Sequence, residues 1–451
     1  MFWSARESLT KWFYNNQWVK PIGFFLFFVL TVALIYGIDF RISFGHQYRP
    51  RLSRAEQVIR KRNRFMYDIT VHPEVYVYAT LRNDMCFLRE KIEKQDFPVI
   101  HSVFSDPVSK NVVFIAVRYF EDKWDRDPYV CIFQNGYRTL SDPVVHDYKS
   151  FGYVVQYLAV ITCPIPEELH TLPNMTVDLI RVTDEPMWYL YAAENITVCP
   201  SGIPIYRYYN LVMCTMVKNV DEFLPDWIEY HIYQGVDHVF LYDNEKQNKS
   251  TLIGTVQKYI ERGVVTVIPW SHEPTVLKTY LEVQIAHEND CVWRLKHNAK
   301  WIIKIDVDEY LQPMQSRDTK IVDVLQAIHP SKIASLHVQN WFFGRPKKSA
   351  ASEETIFERN TWRPRWPTAQ NIGRDKNIIH PLNVHYFKIH GVKVGGDSWS
   401  LDPYKEMRLV HYRMDNTRTR YFDLPPWEVQ DFSMVRLWQD VQRWKLRNWN
   451  F

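Results

Sequence analysis

The chain has no C-x-x-C pair among its six cysteines, which argues against a zinc site built on paired thiolates. It has no internal repeat and no low-complexity tract, so nothing supports an array of small units. It also lacks an excess of either charge. Lys and Arg number 55 against 51 Asp and Glu, a net charge of +4, and so even a balance gives no general case for nucleic-acid binding. Glycine is scarce at 14, against 25 prolines. What is present is 451 residues, 46% hydrophobic and 15% aromatic. That is enough for more than one core and about two or three domains.

One stretch, Pro21–Ile38 (PIGFFLFFVLTVALIYGI), runs without a charge between Lys20 and Asp39. About 17–25 apolar residues cross a bilayer as a helix. A cleaved signal peptide has a shorter apolar core, about 7–15 residues, and a small-residue cleavage site; here Phe40, Arg41 and Ile42 follow. A buried globular helix is the other alternative, and no polar face marks one. The stretch reads as a signal anchor. Arg6, Lys11 and Lys20 before it balance Arg41, Arg51 and Arg54 behind it, so positive charge does not orient it. Glycosylation sequons at Asn174, Asn195 and Asn248 favour a lumenal body. The even cysteine count suits an oxidising lumen and permits three disulfides, with 15 pairings open. Cys214, inside an apolar run, is the best candidate for a buried free thiol.

The sequence therefore divides into a cytosolic tail (1–20), a transmembrane signal anchor (21–38), a basic stem (39–66), a β-rich accessory domain (67–206), a larger domain (207–425) and a C-terminal helix (426–451). In the accessory segment, NVVFIAVRYF, YVCIFQNG, YVVQYLAVITC, MTVDLIRV and MWYLYAA are short β-like runs separated by turn residues, as in a sheet sandwich. From Asn210 the period changes. LVMCTMV is a continuous apolar strand; Asn219 and Glu222 form a capping box for a helix that Gly235 ends. VDHVFLY, an amphipathic helix stopped by Gly263, VVTVI, a long helix from about Val276 to His297 and WIIKI complete the series. Strands alternating with helices predict an α/β fold with a parallel sheet and helices on both faces. The C-terminal VRLWQDVQRWKLRNW is a basic, Trp-rich helix expected to pack on the body rather than lie on a membrane.

WIIKIDVDEYLQP places Asp306, Asp308 and Glu309 at the end of the fourth strand. Buried and unpaired, such a cluster costs several kcal/mol per charge. Ligands collect at the carboxyl ends of strands in such sheets. In extended geometry Asp306 and Asp308 share a side, and their oxygens suit Mg²⁺ or Mn²⁺. Such a metal would neutralise a diphosphate leaving group. An acidic turn held by lysines such as Lys304 is the plain alternative. A phosphatase of the D-x-D-x-T type would need a hydroxyl where Tyr310 stands, and its motif on the first strand. Asp243 ends the second strand on the same edge, where it can accept hydrogen bonds from a base or ribose; Met216, Val217 and Asn219 can wall a pocket beside it.

The blocks NVDEFLPDWIEYHIYQGVDHVFLYDN, NDCVWRLKHNAKWIIKIDVDEYLQP, KNIIHP, VHYFKIHG and LVHYR, from about Asn210 to Arg413, resemble glycosyltransferase family 92. The resemblance implies a GT-A-like, Rossmann-type fold and inverting transfer of galactose from UDP-galactose with Mn²⁺, commonly in β1,4 linkage, to galactan or to the core fucose of N-glycans. It assigns Asp306 and Asp308 to the metal, with Glu309 as their acidic neighbour. His411 in LVHYR completes the metal shell, with His390 its competitor. Lys376 meets a phosphate. The family's arginine before the proline of KNIIHP is His380 here, which leaves a phosphate role for that position without support. Inversion needs a general base. Asp397 in GGDSWS is the first choice because glycines flank it, with Glu309, Asp402 and Glu406 as rivals. Trp399 and Trp341 are candidates for stacking on acceptor sugar. The expected protein is a type II Golgi membrane enzyme. The alternative is a non-catalytic glycan-binding protein that keeps a decayed transferase fold.

Overall fold

The computed structural model describes residues 99–449 apart from 120–128, 143–144, 152–153, 173–174, 183–191, 201–208, 247–248, 272–279, 347–354, 370–373 and 413–425. The expected tail, anchor and stem lie outside the described residues, as do Asn174 and Asn248. Among the described residues no helix is long and apolar enough to cross a membrane.

The first sheet has eight strands: β1 (Val99–Asp106), β2 (Asn111–Tyr119), β3 (Tyr129–Phe133), β4 (Arg138–Leu140), β5 (Val145–Phe151), β6 (Val154–Pro164), β7 (Met175–Arg181) and β8 (Ala192–Pro200). Their order is β4-β3-β7-β8-β1-β2-β6-β5. Five places separate β3 from β6. In a flat sheet that is about 24 Å, yet Cys131 and Cys163 form a disulfide with Cα atoms 6.3 Å apart. The sheet therefore curls over and faces itself. The run NVVFIAVRY reads apolar throughout because β2 is covered on both sides. Val112, Phe114 and Ala116 enter the sheet's own core, while Val113, Ile115 and Val117 enter a core shared with the second sheet.

The second body alternates strand and helix, as the sequence predicts: β9 (Tyr209–Val217), α1 (Leu224–Tyr233), β10 (His238–Asp243), α2 (Leu252–Glu261), β11 (Val265–Pro269), α3 (Tyr280–Arg294) and β12 (Ala299–Lys304). There follow β13 (Glu309–Pro313), α4 (Ile321–Gln326), β14 (Ile333–Val338), β15 (Asn340–Phe342), α5 (Ile356–Arg359), β16 (Trp362–Arg363), β17 (Lys376–Ile379), β18 (Val384–Lys388), β19 (Gly391–Gly395), β20 (Asp397–Ser400), β21 (Met407–His411), β22 (Val429–Gln430) and α6 (Ser433–Asn448). The main sheet runs β11-β10-β9-β12-β17-β14-β20, with β11, β10, β9 and β12 parallel. The chain moves outward from β9 and returns on its other side at β12, so the topological switch falls between them. A smaller sheet, β13-β21-β15, begins at Glu309, just past the carboxyl end of β12.

Two local expectations change. The Asn219–Glu222 capping box does not form: α1 starts at Leu224, its N-cap Phe223 makes no side-chain cap bond, and Pro225 falls in the first turn. Asn219 instead adopts a left-handed conformation (φ 55°), which asparagine tolerates better than most residues. Cys214 is not a free thiol but is bonded to Cys291. Gly235 ends α1 as expected at φ 96°, and a Cβ there would also meet Val322 Cγ1 at 2.5 Å. Helix α6 packs on the body through Met434, Leu437, Trp438 and Val441, and Lys445 binds buried Glu229 at 2.7 Å.

A side-chain contact between Asp106 and His297 links the two bodies. Asp106 at the end of β1 meets His297 Nε2 at 2.7 Å and accepts bonds from the Ser109 hydroxyl and the Val108 N–H. Burial works to raise its pKa, but these bonds outweigh it and hold the carboxyl well below the usual carboxylate range. A depressed folded-state pKa gives stability that is present above the unfolded value of about 4 and is lost as pH falls through the folded one. Asp106→Asn is expected to cost about 2 kcal/mol at pH 7 and to flatten the loss of stability as pH falls below about 4. Urea unfolding followed by tryptophan fluorescence measures both, and an unchanged pH slope would exclude the assignment.

Candidate active site

Strand β12 delivers the acidic cluster to the carboxyl edge. Past Lys304 the chain is not extended, as the sequence suggested, but turns: the Glu309 N–H donates to the Asp306 carbonyl at 3.1 Å. Ile305 and Val307 are buried, while the Asp306 side chain is half exposed. The turn folds Glu309 back under its own start, so that Glu309 Oε2 accepts the Asp306 N–H at 2.9 Å. Glu309 itself is 1% exposed, and Trp227 Nε1–H donates to its carbonyl at 2.9 Å.

The compensating charges arrive from two distant strands. Strand β17 lies antiparallel to β12, which sets Lys376 beside the turn. Its Nζ is 2.6 Å from Asp306 Oδ2 and 3.4 Å from Glu309 Oε2. Strand β21 pairs with β13 so that His411 stands opposite Glu309. His411 Nε2 is 3.4 Å from Asp308 Oδ2, and Nδ1 is 3.5 Å from Glu309 Oε1. Asn340 Oδ1 also faces His411 Nδ1, at 3.2 Å, and Asp375 Oδ1 accepts the Asn340 N–H at 2.8 Å. Burial pushes the Glu309 carboxyl up to about 7. Burial opposes charge on Lys376 and His411 too, but Asp306 and Glu309 together outweigh it at the lysine, Asp308 and Glu309 together at the histidine, and both pKa values are raised. Lys304 takes no part, since its Nζ is bound to Glu288 of α3 at 2.7 Å.

Asp308 Oδ2 and His411 Nε2 are one oxygen and one nitrogen donor at neighbouring positions, a pairing that fits two corners of a divalent-cation shell. Asp306 has one oxygen committed to Lys376. Among the described residues no three His, Cys, Asp or Glu side chains are gathered as a ready metal group. A bound ion would therefore rely on water or substrate oxygens for its other positions.

Val217, Asn219 and Asp243 do converge. They line one cleft with Lys218, Asp221 and Lys249, at the carboxyl ends of β9 and β10. Asp243 there accepts the Glu245 N–H at 3.0 Å and the Ser250 hydroxyl at 2.5 Å. Other candidates lie elsewhere. Asp397 pairs with Ile333 at the start of β14, on the amino edge of the sheet. Its glycines serve strand packing, because a Cβ on Gly395 would collide with the Asn383 carbonyl and one on Gly396 with the Lys332 carbonyl. Asp402 and Glu406 build a turn in which Glu406 Oε2 accepts the Asp402 N–H. His390 Nδ1–H donates to the Asp375 carbonyl at 2.9 Å. His380 lies at the far end of β17, buried against Trp301. Trp341 is 2% exposed, donates to the Pro364 carbonyl and lies under Arg363 and Arg408. It is a core residue rather than a sugar platform. Trp399 is 55% exposed. Sequence reading missed Asn340 and Asp375, although each stands next to a residue it named, Trp341 and Lys376.

The family model of glycosyltransferase family 92 matches residues 209–448. A family 92 protein of Arabidopsis thaliana is 27% identical over 34% of this chain and 26% of its own length. One from Ricinus communis is 26% identical over 40% of this chain and 32% of its own. The chain thus matches only about a quarter to a third of these plant relatives. The Caenorhabditis elegans β-1,4-galactosyltransferase galt-1 is 22% identical over 78% of this chain and 84% of its own length.

Lys376→Met strips the buried Glu309 of its cation and is expected to destabilise the protein by about 3–5 kcal/mol. Adding Glu309→Gln removes the stranded charge and should recover part of that loss in thermal melts. Trp341→Ala is expected to cost about 3–5 kcal/mol, and Trp399→Ala less than about 0.5 kcal/mol. The same melts test this, and equal losses at the two tryptophans would contradict the placement of Trp341 in the core.

Proposed function

Because the chain belongs to glycosyltransferase family 92, we propose that it transfers galactose from UDP-galactose to a glycan acceptor, with inversion and in β1,4 linkage. The core fucose of an N-glycan is the acceptor this reading favours. One observation carries the proposal. The acidic turn and the Val217–Asn219–Asp243 cleft open on the same carboxyl edge, from neighbouring strands β9, β10 and β12. The activity for which the nematode relative is named supports galactose as the sugar.

In this reading the cleft takes the nucleoside, and Asp243 exchanges its own loop's hydrogen bonds for those of ribose or base. Asp308, His411 and Asp306 would hold Mn²⁺ or Mg²⁺, whose charge would neutralise the departing diphosphate. Lys376 acts one step back, holding Asp306 and the buried Glu309, in place of the direct phosphate contact that the sequence suggested. Glu309 positions the turn and His411; buried and with both oxygens engaged, it is not set to accept a proton from a sugar hydroxyl. Asp397 stands on the wrong edge for that role. Trp399, exposed on β20, can stack on acceptor sugar. Residues 21–38 would anchor the protein in the Golgi membrane with its body lumenal. The exposed Asn195, whose N–H donates to Asp178, suits glycosylation there.

A second reading, a glycan-binding protein without transferase chemistry, draws support from the Lys376–Asp306 bond, which leaves no preassembled three-residue metal group among the described residues. Release of UDP from UDP-galactose by the whole chain with Mn²⁺, across a range of glycan acceptors, distinguishes the two. Transfer is expected. Asp308→Asn is expected to lower it by at least about 100-fold, the scale of a lost first-rank electrostatic contact, with an unchanged melting temperature. Full activity in that variant, or none in the wild type, would reject the transferase mechanism.

A further inference from the structure

Strand β1 of the first sheet reaches the back of the nucleotide edge. At the Ile100–Ser102 step its pairing with β2 shifts by one residue, and His101 is the residue left over. Such bulges re-aim a side chain. This one lays His101 against Trp270, with ring centroids 5.5 Å apart and planes at 28°. Trp270 follows β11 directly and is buried. Its N–H donates to the Asp243 carbonyl at 2.8 Å, and its indole Nε1–H donates to the Val283 carbonyl of α3 at 3.2 Å. Its ring meets Tyr242 edge-on at 5.2 Å.

A second route runs in parallel. The Tyr242 hydroxyl donates to Asp290 at 2.5 Å, Asp290 holds Arg294 through bonds of 2.9 and 3.0 Å, and that guanidinium lies 5.3 Å from the centre of the Phe104 ring on β1. The last two residues of β10, Tyr242 and Asp243, are thus both backed by groups whose other side rests on β1.

We propose that His101 is a positioning residue for nucleotide affinity, acting through Trp270 on Asp243, so that the first sheet forms the back wall of the donor pocket. The inference rests on reading the Asp243 cleft as the nucleotide site. It separates binding from chemistry. His101 reaches the cleft through Trp270 and Asp243, so its loss should act on donor affinity and not on turnover.

The test is UDP binding by calorimetry to the whole chain with Mn²⁺, beside steady-state kinetics with UDP-galactose. His101→Ala is expected to raise the UDP Kd about fivefold, the value of one aromatic contact, with kcat within about twofold of wild type. His101→Phe, which keeps the stacked ring, should bind within about twofold of wild type. In a double-mutant cycle, Asp243→Asn should mask the effect of His101→Ala, since both act at one place. An unchanged Kd in His101→Ala, equal losses in the Ala and Phe variants, or additive effects with Asp243→Asn would overturn the inference. If His101→Ala does not fold, His101→Gln supplies the same contrast with His101→Phe. Failure of the wild type to bind UDP would remove the nucleotide reading itself, and this inference with it.

Discussion

Glu309 is a carboxylate placed where water cannot reach it, and the surrounding structure is arranged around that fact. Its Oε2 holds the N–H of Asp306 and faces Lys376, and its Oε1 faces His411. Those partners come from β17 and β21, about 70 and 100 residues along the chain. Drawing them together imposes the antiparallel insertion of β17 beside β12 and the pairing of β13 with β21. Removing a buried partner leaves an uncompensated charge, which costs more than the pair itself contributes. The arrangement therefore has little tolerance for partial assembly. Asp306, whose side chain faces solvent, is held in place by a neighbour that does not.

The alternation of strand and helix was legible because its signals are local. Apolar runs mark strands covered on both faces, and Gly235 and Gly263 stop helices where left-handed backbone is needed. The acidic turn was legible for a similar reason, since three carboxylates after a buried strand demand an answer. The answer was not legible. Lys376 reads as a phosphate ligand in isolation, and only the register of β17 against β12 turns it toward Asp306. Asp397 misled for the opposite reason. Its glycines look like a loop built for a ligand, but the space is taken by the carbonyls of Asn383 and Lys332. Neither the bulge at His101 nor the partner of Cys214 leaves any mark in spacing or composition.

The β-rich segment reads as an appendage in sequence, yet it contributes six buried residues to a core shared with the second body. Val113, Ile115 and Val117 of β2 pack with Cys214, Phe240 and Trp293 of the second body, and Asp106 fastens the seam at His297. The family match begins at residue 209, so the boundary seen by comparison is not a boundary in packing. The groups around the acidic turn come from the second body, whereas Trp270, behind Asp243, also rests on the first.

Cys214 of β9 and Cys291 of α3 are joined, and between them run α1, β10, α2 and β11. Every residue proposed for the nucleotide cleft is therefore enclosed in one covalent ring. A single backbone cut anywhere in that ring would leave both fragments tethered. The nicked protein would migrate intact until reduced, and its cleft could outlast the break.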